Sequence, residues 1–352
     1  MQHKLGLGIL LTCACSSGAP HAAGGGGGGG AGGGDAATGG TDDGAAATDA
    51  GTSAAVGPYF TTPMFWNRDV SGVAKAADSD AVIAALAAAG GWGGGGRMQI
   101  DFSLDVLTAD ASTPKLAFTP TDDFYTPDCD DVPVPVPAGG NLEGEDGYAC
   151  TGDGDCHLLV HDSAGAKLYE MWRANMTGAT FEGGCLAVWD LNAAYGDTLR
   201  GDQCTSADAA GFPLSPLVFT ADEIASGHLD HAIRFILPND RIRLGYVRPA
   251  THGTQTTGGT NAPPYGVQLR LRADYPLAQL SPAAQVVARA MQKYGMYQAD
   301  GGQIALTAQS DRHTAAKWSG LLSADDLAAL QVTDFEVIDH GPMIELTGNC
   351  TR

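Results

Sequence analysis

Short segments that alternate apolar and polar side chains recur along this chain, and they limit its fold more than any other feature. In MQIDFSLDVL (98–107), Met98, Ile100, Phe102 and Leu104 fall on one face of an extended strand. Turn-rich Gly, Asp and Pro segments separate the other candidates, which are HLLVHD, AKLYEMW, CLAVWDL, LDHAIRFIL, IRLGYVR, VQLRLRAD, DFEVID and PMIELTG. The pattern predicts an all-β fold, of the β-sandwich or jelly-roll type, with a few short peripheral helices.

Four segments carry helix signals instead. Residues 79–90 follow a cap at Asp78 or Ser79, and Thr220 with Glu223 forms a capping box at the start of 220–227. Ser281 followed by Pro282 begins the clearest helix, 281–295, and a weaker one is predicted from Ser323 over 323–330.

The N-terminus predicts an exported protein. Lys4 precedes a short apolar run, 5–11, and then small residues and cysteines, as in a bacterial lipoprotein signal. Both Cys13 and Cys15 are candidates for the lipid anchor. Cleavage before Cys15 leaves an even number of cysteines besides Cys15 itself, so we expect a signal peptide over 1–15 that ends at the lipidated Cys15, with plain secretion as the alternative.

Composition divides the rest of the chain into two parts. Residues 16–56 are almost wholly Gly, Ala, Asp and Thr and predict a disordered tether, whereas all five tryptophans lie in 57–352, which we expect to form a single β-rich domain. The net charge is −21, and 57–352 carries −18 of it because the first 56 residues hold one lysine and four aspartates. We therefore expect no nucleic-acid partner, and contact with a membrane only through the lipid anchor.

Six cysteines remain besides the lipidated Cys15, as suits an oxidising compartment. We predict one bridge between Cys150 and Cys156 and another between Cys185 and Cys204, with Cys129 and Cys350 completing the set. Asp153 and Asp155 make the first loop a possible calcium site, but the closing glutamate of an EF-hand is missing. No cofactor is therefore expected.

Two carboxylates stand on otherwise apolar strand faces. Glu170 alternates with Leu168 and Trp172, and Asp190 alternates with Leu186 and Val188. If these strands pair as a hairpin, the two acids could lie on one face, as the two carboxylates of a glycosidase must. Isolated structural charges are the alternative.

The histidines, like the two acids, can be either structural or functional residues. His231 faces an apolar side of its strand, where a core histidine is more common than a catalytic one, and His252 lies in a Gly- and Thr-rich loop.

Several motifs together resemble a family of exported bacterial proteins of uncharacterised function. The resemblance is carried by LEG at Leu142, GDCHLLVHD at Gly154, LYE at Leu168, AVWDLN at Ala187, TSADAAGFPLSP at Thr205, HAIRF at His231, RPATH at Arg248, PPYG at Pro263, KYGMYQADGG at Lys293 and DFEVID at Asp334. It implies a β-rich extracellular protein of the kind found near polysaccharide-degrading systems. Its polar members here are Glu143, His157, Glu170, Asp190, Asp208, His231 and His252.

These observations favour a surface-anchored glycoside hydrolase that acts on a polysaccharide or oligosaccharide, with Glu170 and Asp190 as catalytic residues. The residues expected to bind substrate or support the acids are Glu143, His157, Asp208, His231, Arg234, His252 and Trp172. A non-catalytic carbohydrate-binding or surface-binding β-sandwich is one alternative. The other is a polysaccharide lyase that uses Arg270 and Arg272 to neutralise a uronic carboxylate.

Overall fold

The structure, a computed structural model, describes residues 57–152 and 154–352. The expected signal peptide, the lipidated Cys15, the tether and Asp153 lie outside the described residues. Residues 57–352 fall within a single compact unit.

Strands dominate the described residues. Besides five three-residue 3-10 helices, the four α-helical segments of these residues are α1 (Ser79–Ala88), α2 (Gly93–Gly96), α3 (Ala221–Ser226) and α4 (Pro282–Lys293). The strands are β1 (Ile100–Leu104), β2 (Val106–Ala109), β3 (Lys115–Leu116), β4 (Thr119–Pro120), β5 (Val134–Pro135), β6 (Leu158–Asp162), β7 (Lys167–Trp172), β8 (Asn175–Thr177), β9 (Thr180–Gly183), β10 (Cys185–Asp190), β11 (Ile233–Leu237), β12 (Arg243–Tyr246), β13 (Pro264–Tyr265), β14 (Gln268–Leu271), β15 (Met296–Gly301), β16 (Leu306–Gln309) and β17 (Phe335–Val337). The predicted β-rich fold with few helices is confirmed.

Two sheets hold most of these strands. The larger has six strands in the order β1-β16-β11-β15-β14-β17, and the smaller has four in the order β10-β7-β6-β2. The segment predicted as one strand over 98–107 divides between them, because the chain leaves the larger sheet after Leu104 and enters the smaller one at Val106. Asp105 lies at this crossing, where its buried carboxylate accepts hydrogen bonds from Asn141 and Ser310.

The smaller sheet is buried on both faces. Leu168 and Trp189 belong to the main hydrophobic core together with Phe235 of the larger sheet, whereas Met171 and Leu158 face a second core. Burial on both faces explains why these strands contain so few charged residues, and why each charge that they do contain needs a specific partner.

Three of the four predicted helices are confirmed. Thr220 and Glu223 form the capping box of α3, and the Ser281 side chain caps α4 by accepting from the Ala284 amide. Residues 323–330 instead form turns, which begin where the Asp326 carboxylate accepts from the Ser323 amide and hydroxyl at 3.0 and 2.6 Å. The segment PMIELTG is likewise not a strand and keeps only one isolated bridge, from Ile344 to Tyr246.

Three disulfides cross-link the domain. The bridge from Cys150 to Cys156 is confirmed, but the predicted bridge from Cys185 to Cys204 is wrong, since Cys185 pairs with Cys129 and Cys204 with Cys350. Backbone pairing explains why Cys185 and Cys204 have these partners. The Asp130 amide donates to the Leu186 carbonyl at 2.8 Å, which places Cys129 beside β10, while Thr351 pairs with Asp202 and brings the C-terminus to Cys204.

Within the described residues, no helix combines the length and the apolar character needed to cross a membrane.

Candidate functional site

A buried arginine forms the centre of a group of charged side chains that come from several parts of the chain. Arg234 projects from β11, whose neighbours in the sheet are β16 and β15. Its Nη1 donates to Thr307 Oγ1 at 2.9 Å and its Nη2 to Asp208 Oδ1 at 2.6 Å, while Asp300 Oδ2 lies 3.6 Å from the same Nη2. Two carboxylates therefore converge on one guanidinium nitrogen.

Asp208 reaches Arg234 from a loop, 205–212, that folds back on itself. Ser206 Oγ donates to the Phe212 carbonyl at 2.6 Å and accepts from the Asp208 amide at 3.0 Å. The Asp208 side chain is fully buried, and its Oδ2 has no hydrogen-bond partner. Burial raises the pKa of Asp208 to about 6, although the neighbouring Arg234 opposes the rise.

Asp300 is the more accessible of the two acids. The pairing of β11 with β15 shifts between Phe235 and Ile236, and this bulge turns Asp300 towards the Arg234 face of the sheet. Its side chain is 27% exposed. Burial raises the pKa of Asp300 to about 7, and repulsion from Asp208 adds to the rise.

A third carboxylate is paired with a histidine. His157 Nδ1 lies 2.7 Å from Glu143 Oε2, and His157 Nε2 lies 3.0 Å from the Ala207 carbonyl. Burial would lower the pKa of His157, but Glu143 outweighs it and raises this pKa to about 9. In the same way, burial would raise the pKa of Glu143, but His157 holds it below its usual value. Near neutral pH the two form an ion pair.

Two further acids complete the group. Asp101 on β1 pairs in register with Thr307, and burial raises its pKa. Asp155 is exposed, accepts a hydrogen bond from Trp172 Nε1 at 2.9 Å, and lies near enough to His157 and Asp300 for its charge to help raise the pKa of each. We refer to the whole group as the Arg234 cluster, which comprises Asp101, Glu143, Asp155, His157, Asp208, Arg234 and Asp300.

Glu170, expected to be catalytic, is a buried structural group instead. Its Oε1 accepts from the Ser215 amide and hydroxyl, both at 2.7 Å, and its Oε2 accepts from the Leu214 amide at 2.9 Å and Trp189 Nε1 at 3.0 Å. No part of the side chain reaches solvent. Burial raises the pKa of Glu170, and the four hydrogen bonds oppose that rise. A carboxylate with every acceptor site occupied by the fold cannot attack or protonate a substrate.

Asp190, its expected partner, lies on the other face of the sheet. Glu170 pairs with Ala187 and Asp190 with Lys167, and an odd separation along a strand reverses the side-chain direction. The side chain of Asp190 is 44% exposed and forms an ion pair with Lys167 at 2.7 Å. The prediction that Glu170 and Asp190 act as a pair is therefore wrong.

The residues predicted to support the acids divide into two groups. Glu143, His157, Asp208 and Arg234 come together in the Arg234 cluster, and Trp172 reaches it through Asp155. His231 lies elsewhere, between Glu223 Oε1 at 3.2 Å and the Ala232 carbonyl at 2.8 Å, and so fixes α3. His252 contacts the back of the Asp208 loop, with Nδ1 3.0 Å from the Ala209 carbonyl.

Sequence reasoning missed Asp101, Asp155 and Asp300 as site residues. Asp101 alternates with the apolar residues of its strand, a position that normally faces solvent, and Asp300 changes face only because of the bulge. The one available signal for Asp300 was its place in the motif KYGMYQADGG.

Metal binding has little support among residues 57–152 and 154–352. Asp128 with Cys204 and Cys350 forms one group with suitable spacing, and Glu145 with Cys150 and Cys156 forms the other. All four cysteines are in disulfides and so offer no thiolate.

Comparison with known protein families, with curated proteins and with solved structures finds no match for this chain. Function is therefore inferred from the cluster itself.

Proposed function

We propose that the protein is an exported glycoside hydrolase that uses Asp300 as its general acid and Glu143 as its ionised carboxylate. One observation carries this proposal. Two carboxylates that reach solvent lie around a single buried arginine, in surroundings that raise the pKa of one and lower that of the other. Such a separation is how a pair of acids takes different roles near neutral pH.

The surroundings of Asp300 suit a proton donor. A pKa of about 7 leaves much of it protonated at neutral pH, and its partial exposure allows contact with a glycosidic oxygen. In the reaction its proton passes to that oxygen as the bond to the anomeric carbon breaks. Arg234 then lies close enough to stabilise the carboxylate that remains.

Glu143 has the complementary properties. His157 keeps it ionised, and Ser103 Oγ donates to its Oε1 at 3.2 Å, so its orientation is fixed. Its side chain is 19% exposed. An ionised carboxylate here would either attack the anomeric carbon or activate the water that does so.

The proposal also covers the cellular location of the protein and the arrangement of its two main sheets. Three disulfides are compatible with an oxidising, extracellular compartment, and we propose export with lipid attachment at Cys15. The core shared by the two main sheets and the crossing at Asp105 support a sandwich-like arrangement.

Release of reducing ends from a panel of polysaccharides tests the activity. We expect Asp300→Asn and Glu143→Gln each to lower the rate roughly 100- to 10,000-fold, the usual range for removing an acid–base group. Asp190→Asn is the matched control and should keep full activity. Melting temperatures of all three variants show whether each is folded. Full activity in both cluster variants would refute these roles.

A non-catalytic carbohydrate-binding domain is the second candidate. It is favoured by the mutual neutralisation of Asp208 and Arg234, which is how buried structural charges are usually satisfied. In that case the protein would bind a glycan of the panel and release nothing from it. A uronate lyase has less support, because Arg270 is already held by Glu336 and by the carbonyls of Val70 and Val73.

A further inference from the structure

The part of the Arg234 cluster that meets solvent is strongly acidic. The cluster contains five carboxylates against two cations, and both cations are at least nine-tenths buried. The groups that reach the surface are carboxylates, with Asp155 exposed and Glu143 and Asp300 partly so. A ligand that approaches the cluster therefore meets negative charge first.

This acidity is not neutralised from outside. Among the residues that the structure describes, neither Asp101 nor Asp155 forms an ion pair with any lysine, arginine or histidine. Some surface acids elsewhere in the fold, such as Asp190 and Asp274, do have such partners, Lys167 and Arg272.

A carboxylate oxygen without a hydrogen-bond partner lies inside the cluster. Asp208 is 1% exposed, and its Oδ2 has no hydrogen-bond partner even though Oδ1 is bound to Arg234. Buried polar atoms are nearly always paired, so this unpaired carboxylate oxygen favours a ligand or a water that donates hydrogen bonds, while the unpaired Nε of Arg234 in the same cluster needs an acceptor.

We propose that this site recognises a protonated amine, and that its ligand class is the amino sugars with a free amino group. That the ligand is a sugar rests on the proposed function. That the ligand carries a positive charge rests on the acidity of the Arg234 cluster. An ammonium group supplies three donors and one positive charge to a surface on which the exposed Asp155 and the ionised Glu143 are acceptors. Uronates and sulfated sugars would be repelled by the same surface.

Three oligosaccharides of equal length that differ only at the 2-position test the inference. They are β-1,4-linked oligomers of glucosamine, of N-acetylglucosamine and of glucose, titrated calorimetrically into the full-length chain at pH 6. Charge-assisted hydrogen bonds are worth about 1.5–3 kcal/mol, so we expect the glucosamine oligomer to bind roughly 10- to 100-fold more tightly than the other two. The preference should weaken as salt is added.

Variants test whether the Arg234 cluster is responsible for the preference for the glucosamine oligomer. Asp101→Asn and Asp155→Asn should each reduce the preference for the glucosamine oligomer several-fold, whereas Asp274→Asn, which alters an exposed acid paired with Arg272, should leave it unchanged. Equal binding of the three oligomers, or no binding of the glucosamine oligomer, would overturn the inference.

The two proposals fail in different ways. If the enzyme cleaves a neutral glycan through Asp300 and shows no preference for the amine, the hydrolase proposal stands and the amino-sugar inference falls. If the glucosamine oligomer is preferred but no glycan of the panel is cleaved, recognition of the amine stands and hydrolysis falls.

Discussion

At the scale of single residues, the ion pair between Glu143 and His157 should make the stability of the fold depend on pH. The folded-state pKa of His157 is raised to about 9 from 6.5, so its stabilising contribution is complete below pH 6.5 and disappears as the pH rises through 9. The shift corresponds to roughly 3 kcal/mol. We expect the free energy of unfolding to fall by about this amount between pH 6 and pH 10.

Denaturant unfolding of the wild type and His157→Gln at both pH values measures this contribution. Other groups titrate over the same range in both proteins, so the difference between the two pH dependences isolates His157. The variant should lack the extra loss of stability at high pH. Parallel pH dependences in the two proteins would show that folding does not shift the pKa of His157.

The sequence showed that some acids lie on otherwise apolar strand faces, but it did not show the role of each acid. A carboxylate among apolar neighbours on a strand can be buried, as Glu170 is, or partly exposed, as Asp190 is. The role of Glu170 depends on what faces it, and the Leu214 and Ser215 amides come from a segment more than 40 residues further along the chain. No local pattern in β7 contains that information.

At the scale of elements, Glu170 connects β7 to the segment that carries Asp208. Its hydrogen bonds to Leu214 and Ser215 fix the end of that segment, while the Thr205 amide donates to Asp128 Oδ2 at 2.8 Å and fixes its beginning. We expect Glu170→Ala to cost about 3 kcal/mol of unfolding free energy, because it leaves buried donors without acceptors.

The same variant should also lower any activity of the Arg234 cluster, since the Asp208 loop loses one of its supports. Unfolding by denaturant and the rate on the best glycan check the two effects. Asp190→Asn, on the opposite face of the same pair of strands, should change neither. A stable and active Glu170→Ala variant would contradict this positioning role.

Elements were predicted better than their connections. The segments that contain β6, β7, β10 and β11 were correctly predicted as strands, because each is a short apolar run between turn-rich segments. The sequence could not reveal the crossing at Asp105 or the bulge before Asp300, since both depend on how one sheet meets another segment. Membership of a motif was not enough to identify Asp300, which lies in KYGMYQADGG, because only the bulge turns its side chain towards Arg234.

At the scale of the whole molecule, cysteine parity correctly indicated a fully bridged set but could not fix the partners. Cys185 and Cys204 are close in sequence, which favours pairing on loop closure alone. The fold pairs each with a more distant cysteine, because the 128–130 segment lies along β10 and the C-terminal residues lie beside Asp202. Long-range topology therefore decided the connectivity.

That topology gives the three bridges unequal importance. Cys204 and Cys350 are 146 residues apart, whereas Cys150 and Cys156 are only 6 apart. In the loop-entropy account the longer closure stabilises the fold by about 3 kcal/mol more than the shorter one. We expect replacement of Cys204 and Cys350 by serine to lower the free energy of unfolding by about that much more than replacement of Cys150 and Cys156.

The comparison also tests whether the C-terminus supports the site. Cys204 directly precedes the loop that carries Asp208, so loss of its bridge should lower cluster activity as well as stability, whereas loss of the Cys150 bridge should act mainly on the turn before His157. Denaturant unfolding under oxidising conditions and glycan cleavage by both double variants measure these effects. Equal losses of stability would mean that the unfolded chain is already compact around these cysteines, because loop length would then no longer determine the entropy that each bridge removes.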